Sequence, residues 1–539
     1  MKILLLCSTF NSLTQAIYTV LKDKNEKIVV AYAISEEQML AEIEDFNPEL
    51  ILCPFLKRYL PKSIYEKYPS YILHPGPIGD RGANALEHAY NHKEWGVVWL
   101  KADEFYDAGE IYAQQNFNMR ETYKASLYRQ EVVNSSLKAL DLLFENIYND
   151  CGTKQILNPL HSPFTQKIRA IDWDRDSTEV IIKKIYQGDS FPGVLDEILG
   201  CSCYLFGVHK EDRLRGKSKE ILAKRDGAIC LGTIDGAIWI THLKEIGKFK
   251  LPATYVLKDK LHGIKEDRLP LLFDKSYSTF YETSVEFRDN VAYLCFNFHN
   301  GAMSAGQCIR LKYAVEYLKN ECEVLVLVGG MDFFSNGINL NILEDSKKQG
   351  EDGWANINAM NDLVSSILYA DEIVTIASLA RNAGAGGVFM ALSCDYVIAK
   401  KDVVLNPHYK TLGLSGSEYH SYTLPKRVGK DISEKLLDEC LPISANYAKS
   451  LGMLDEVYTH ENYYEELHNF SKSVYCDDYI WHKQEYFEKN KEQIEALKES
   501  ELKVMYPEFW DKESSFQKLR REFVYKTCPI KTPKRFSRA

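Results

Sequence analysis

The sequence predicts an α/β protein of several domains, with a doubly wound parallel sheet at its N-terminal end. Three observations lead there. Short β-rich apolar runs alternate with helix-like segments over the first part of the chain, the same alternation restarts near Ser284, and two Asp-Gly turns between apolar runs separate the two patterns. A chain of 539 residues is too long for one core. Apolar content of 45% and charged content of 26% are those of an ordinary globular protein.

The first pattern takes residues 3–7, 28–33, 50–53 and 71–73 as strands and residues 13–22, 36–46 and 61–68 as helices. The last of these strands runs into His74. Ligands bind beyond the carboxyl ends of strands in such sheets, so His74 stands where chemistry is expected. The first turn lacks GxGxxG, which removes the dinucleotide fingerprint. Residues 126–148 read as a helix. Asp226-Gly227 and Asp235-Gly236 read as hairpins, and the charged stretch 209–225 as a solvated one. Residues 258–273 form a linker. The second pattern places strands at 291–298, 324–328, 373–377 and 396–399, with helices at 304–319, 355–369 and 388–394. Residues 479–523 are charged and helix-prone, a capping helical hairpin, and the basic tail 526–539 reads as loose.

Composition excludes several functions. A formal net charge of −10 argues against a general nucleic-acid binder. The thirteen cysteines form no paired CxxC spacing, so no metal site is expected and reduced thiols in the cytoplasm are. The apolar start is too short for a signal peptide, and no run approaches the ~18 apolar residues of a membrane span.

Two stretches carry chemistry. In YILHPGPIGDRG, Pro-Gly-Pro holds His74 on a rigid loop, and Asp107-Ala108-Gly109 follows at a turn. In NAGAGGVFMALSCD, glycines precede an apolar helix and leave backbone N–H groups at its positive end, suited to an oxyanion.

On these residues the first ~150 positions resemble the folate-dependent formyltransferases, a family of doubly wound domains. The resemblance implies that His74 and Asp107 are catalytic, with Arg81-Gly82 on the family's Arg-Gly. It puts Arg58 and Leu60 on the loop whose backbone holds the pterin of 10-formyltetrahydrofolate. Ile72 stands where the family has an oxyanion-binding asparagine, and losing one such donor typically costs roughly 10²–10³ in rate. A thiol acceptor ionises more readily than an amine and needs less help. Residues 171–273 resemble the small β-barrel that follows the catalytic domain in methionyl-tRNA formyltransferases.

The second pattern resembles the crotonase (enoyl-CoA hydratase/isomerase) superfamily, an α/β spiral with C-terminal helices. FSNGINL and NAGAGGVFMALSCD match its two signature loops. That implies oxyanion-hole N–H groups on Ile338 and Gly386, and coenzyme A along the backbone of Asn336, Asn339 and Leu340. Phe389 and Tyr409 occupy the positions of the hydratases' two glutamates, so water addition is not expected. Tyr409 and Glu418 are the preferred proton-handling pair, and His420 reads as surface or core. The domain limits implied are 1–170, 171–273 and 274–539.

A formyltransferase followed by a crotonase resembles the HypX (HoxX) hydrogenase maturation family. That implies carbon monoxide synthesis for a nickel–iron centre: formyl transfer from 10-formyltetrahydrofolate to CoA, then decarbonylation of formyl-CoA, with hydrogenase maturation proteins as partners and no nucleic acid or membrane. Two alternatives stay open. One formylates another acceptor and carries a separate thioester hydrolase; the other is a non-catalytic carrier of folate and CoA.

Overall fold

The computed structural model describes residues 1–537 and divides the chain into two compact units. The first holds Met1–Arg268, Ser276–Phe280 and the C-terminal segment from Cys528; the second holds Leu269–Lys275 and Tyr281–Thr527.

The first unit begins with a six-stranded sheet: β1 (Lys2–Cys7), β2 (Lys27–Tyr32), β3 (Leu50–Cys53), β4 (Ser70–His74), β5 (Glu94–Lys101) and β6 (Ile111–Asn118), in the order β2-β1-β3-β4-β5-β6. Strand β1 lies between two neighbours and under helices on both faces, which is why Ile3 to Cys7 are all fully buried. Its helices start where caps permit. Asn11 accepts from the Thr14 N–H at 3.1 Å and Ser35 from that of Gln38 at 3.2 Å.

The expected parallel sheet is parallel only from β2 to β4; β5 and β6 run antiparallel. The connections explain this. Between β4 and β5 there are only one-turn helical pieces, Ala85–His88 and Ala89–Asn91, and a parallel return needs a full crossover. The helix expected over 61–68 shortens to Lys62–Tyr65.

A second, antiparallel sheet follows: β7 (Val194–Ile198), β8 (Cys201–Glu211), β9 (Ile221–Arg225), β10 (Ala228–Gly232), β11 (Ala237–Glu245) and the short β12 (Leu251–Pro252). Its order is β7-β8-β11-β10-β9, with β12 on β11, so the hydrogen bonding is that of an open sheet with β7 and β9 at its ends. Asp226 (φ 47°) and Gly227 (φ 84°) make the left-handed turn that a tight hairpin between β9 and β10 requires. Asp235 does more than turn the chain: its Oδ1 accepts from the Thr178 N–H at 2.8 Å, at the start of helix Thr178–Gly188. That helix packs Ile181 and Ile185 against the sheet.

The second unit is built on a sheet of Thr283–Arg288, Val291–Phe296, Val324–Val328, Val374–Leu379, Tyr396–Lys400 and Glu456–Tyr458, in that spatial order and parallel after the first pair. Ser304 and Gln307 form a reciprocal cap on helix Ala305–Leu318. Helix Gln349–Leu368 starts earlier than expected, and the wholly buried helix Gly386–Leu392 carries the glycine-rich motif. Two helices, Asp477–Trp510 and Ser515–Tyr525, end the unit.

The tail corrects its expectation. Phe536 is 2% exposed and its ring lies 4.6 Å from that of Phe10, while Thr532 Oγ1 accepts from the Tyr32 N–H at 3.0 Å. Residues 528–537 therefore belong to the first unit; the tail's last two residues lie outside the described ones. Among the described residues no helix is long and apolar enough to cross a membrane, and no group of three or more His, Cys, Asp or Glu side chains is placed to hold a metal ion.

Candidate active sites

Each unit gathers a cluster of buried, titratable side chains around its signature motif. In the first, β4 delivers His74 to the end of the sheet, 5% exposed, and Pro75-Gly76-Pro77 turns the chain beside it. The ring lies between two carboxylates. Nε2 is 2.6 Å from Asp80 Oδ2 and Nδ1 is 3.4 Å from Asp107 Oδ1. Asp107 sits at φ 52°, and its Oδ2 accepts from the Gly82 N–H at 3.0 Å. Gln155 fixes the same turn by donating to the Asp107 carbonyl at 3.1 Å. Space is the reason for the central glycine: a Cβ on Gly76 would lie 2.2 Å from Asp80 Oδ2 and 2.5 Å from His74 Nε2.

Burial by itself would strip the proton from His74. The Asp107 and Asp80 carboxylates outweigh that and push its pKa up to about 9. Both aspartates move the opposite way: burial would raise them, and their hydrogen bonds to His74 hold them below the usual carboxylate value.

Arg58 is exposed. The Leu60 side chain is buried in the sheet's core. Ile72 packs on Val98, Leu100 and Ile111 and supplies no polar group. Sequence reasoning missed Asp80 and His161. Asp80 was within the motif and readable as a carboxylate near His74; His161, which pairs with the other oxygen of Asp80, left no signal.

In the second unit the two signature loops meet. Gly337 (φ 77°) and Ile338 form a short strand whose Gly337 approaches the helix start so closely that a Cβ there would lie 3.2 Å from the Gly386 nitrogen. A Cβ on Gly386 would lie 2.9 Å from the Glu418 carboxyl. Glu418 is thus beside the helix start, and Tyr409 Oη donates to its Oε2 at 2.6 Å. Both are buried, and the Tyr409 ring stacks on Phe389 with centroids 5.1 Å apart. Burial raises Glu418 to about 6, and burial with the Glu418 charge raises Tyr409 well above the usual phenol value.

The side chains expected along CoA have structural tasks. Asn336 Nδ2 donates to the Asn300 carbonyl at 2.7 Å, Asn339 Oδ1 caps helix Leu340–Asp345 through the Ile342 N–H at 3.1 Å, and Leu340 is buried. The backbone N–H groups of Asn336 and Asn339 are engaged too, donating to the carbonyls of Gly301 at 2.7 Å and Met303 at 2.9 Å. His420 is half-buried against Phe389 and Tyr409, with Nδ1 3.2 Å from Glu501 Oε1.

Two supports were not legible. Glu418 and Tyr419 both have positive φ, 60° and 57°, a strained pair for non-glycine residues. Asn361 Oδ1 accepts from the Glu418 N–H at 3.1 Å, and Glu501 accepts from the N–H groups of Tyr419 and Ser421 at 3.1 and 2.7 Å. Glu501 comes from the long helix Asp477–Trp510, which the sequence presents only as a capping helix.

A family model for enoyl-CoA hydratase/isomerase matches residues 286–511, and one for the formyl transferase C-terminal domain matches residues 164–260. The chain thus combines a formyltransferase-type half with a crotonase-type half. Hydrogenase maturation factor HoxX of Bradyrhizobium diazoefficiens is 32% identical over 554 aligned positions, covering 99% of this chain and 96% of the relative. The crystal structure of HypX from Aquifex aeolicus in complex with tetrahydrofolic acid is 38% identical, with a TM-score of 0.96 over 99% of this chain and 98% of that one. A doubly substituted variant of the same protein superposes with a TM-score of 0.97 over the same shares. The chain belongs to the HypX/HoxX family of hydrogenase maturation factors.

Proposed function

We propose that this protein makes carbon monoxide for the nickel–iron centre of a hydrogenase, in the cytoplasm and beside the proteins that assemble that centre. The first site passes the formyl group of 10-formyltetrahydrofolate to CoA. The C–N10 bond breaks, a C–S bond forms, and the thiol proton ends on N10. The second site decarbonylates formyl-CoA: the C–S bond breaks, the formyl proton ends on sulfur, and CO and CoA leave.

One observation carries this reading: the buried Tyr409–Glu418 pair at 2.6 Å stands beside Gly386, with Tyr409 and Phe389 at the positions to which the crotonase resemblance assigns the hydratases' glutamates. Backbone N–H groups of Ile338 and Gly386 would polarise the formyl oxygen. Glu418, raised to about 6, is suited to take and return a proton near neutral pH, and Tyr409 orients it. The Phe389 ring against Tyr409 keeps water from a thioester that would otherwise give formate. In the first site the Asp107 carboxylate orients His74 and manages the thiol proton, and His74 stabilises the tetrahedral oxyanion. The complex of the Aquifex relative with tetrahydrofolic acid supports a folate site in this family; Arg58, the Leu60 backbone and Ile72 would line it here.

The test mixes the purified chain with 10-formyltetrahydrofolate and CoA and follows CO with reduced haemoglobin. CO formation that requires both substrates and falls by about 10²-fold or more in His74→Ala and in Tyr409→Phe is expected. Formate in place of CO would instead make the second site a hydrolase.

A further inference from the structure

We infer that Asp80 and His161 are a positioning pair for His74, holding its ring as an imidazolium so that a full positive charge serves the formyl oxygen where Ile72 offers no amide donor. The inference rests on the formyl-transfer reading above. Its basis is geometric. Both ring nitrogens of His74 face carboxylate oxygens, Nε2 that of Asp80 at 2.6 Å and Nδ1 that of Asp107 at 3.4 Å. An ionised carboxylate only accepts, so Nε2 at 2.6 Å must present a proton. Nδ1 stands farther from its carboxylate, at 3.4 Å, and a second proton there makes the ring a cation between two anions, with an N–H open to a developing oxyanion.

Asp80 can be an ionised partner because its second oxygen meets His161 Nε2. The Asp80 side chain is 4% exposed, so water contributes little to holding its charge, and the two histidines do that instead. His161 is fixed in turn by stacking on His88, with ring centroids 3.9 Å apart and planes 11° from parallel. The charged and titratable groups facing this centre are Asp107 with Arg81 beside it, His161, His88 and, behind His88, Glu87. Among the described residues two carboxylates touch His74 and no cation does, so the surroundings favour its charged form. The direction of each titration agrees: His74 lies high, Asp80 and Asp107 low. A charge-assisted hydrogen bond is roughly twice as strong as a neutral one, which suits an imidazolium to stand in for the missing asparagine.

The experiment uses the full-length ligand-free protein, with ¹⁵N-labelled histidine read by NMR, and then the formyl transfer reaction. Near pH 8 the wild-type His74 ring is expected to carry two protons, and Asp80→Asn to leave it with one. His161→Leu is expected to act in the same direction, and His161→Gln, which keeps an N–H for Asp80, to restore the wild-type signal. These supply a second perturbation should Asp80→Asn fail to fold. In the reaction with CoA, kcat of Asp80→Asn should fall about tenfold near pH 8 and much less near pH 6, as a drop of about two pKa units from the wild-type value of about 9 requires. A wild-type ring that is neutral near pH 8, or substitutions that move neither ring signals nor pH profile, would overturn the inference. Ring signals as expected in a protein that transfers no formyl group to CoA would overturn the formyl-transfer reading while upholding the charge on the ring.

Discussion

His74 keeps a proton that burial would remove, because the two carboxylates that flank its ring outweigh the loss of water. The consequence for stability can be given a sign. The folded ring titrates at about 9, above its ordinary value of 6.5, so the folded state binds more protons between those limits. The stabilisation is complete below about pH 6.5 and is lost as pH rises through about 9. Urea unfolding of wild type and His74→Gln across that range is expected to show wild type losing stability relative to the variant; parallel curves would mean that His74 is neutral when folded. Glu418 has the same sign on the acid side, since burial raises it to about 6.

At the scale of elements, the turn of Glu418 and Tyr419 is the clearest case of local strain held by distant support. Two consecutive left-handed non-glycine residues cost of order 1–3 kcal/mol each, and the local turn bond from the His420 N–H to the Ser417 carbonyl at 3.3 Å is not enough to offset that. The Glu501 carboxylate does so from helix Asp477–Trp510, gathering the N–H groups of Tyr419 and Ser421 and the ring of His420. Glu501→Ala would leave those buried donors without a partner, at about 1–3 kcal/mol for each. The expected outcome is a thermal midpoint lower by several degrees and a loss of decarbonylation larger than the loss of CoA binding, because Glu418 is displaced while the backbone loop 336–340 is not. Equal losses in both would show that Glu501 merely holds the unit together. The tail behaves by the same logic at the other end of the chain: Phe536 is an anchor that its basic neighbours conceal in the sequence.

For the whole molecule, the two clusters lie in different units, and each is complete from its own unit's residues. Their chemistry should therefore separate. His74→Ala supplied with formyl-CoA is expected to release CO at nearly the wild-type rate, whereas Tyr409→Phe supplied with both substrates should build up formyl-CoA. If His74→Ala is inactive on formyl-CoA as well, the sites are not independent. The periods of the chain were enough to read the alternating strands and helices. The two motifs and the resemblances they carry were enough to single out His74, Asp107, Gly386, Tyr409 and Glu418, which the structure gathers into two buried clusters, because a strand end, a turn or a glycine-rich helix start is written in consecutive residues. Those patterns also carried the resemblance to formyltransferases and crotonases. They could not reveal that β5 reverses direction, which depends on how a loop returns to the sheet. Nor could they reveal that His161 meets Asp80 from 81 residues away, or that Glu501 meets Tyr419 from 82. A lone histidine in a loop and one glutamate among many on a charged helix have no period and no motif. Their partners exist only once the chain has folded, when desolvation makes an unpaired charge costly and a paired one specific.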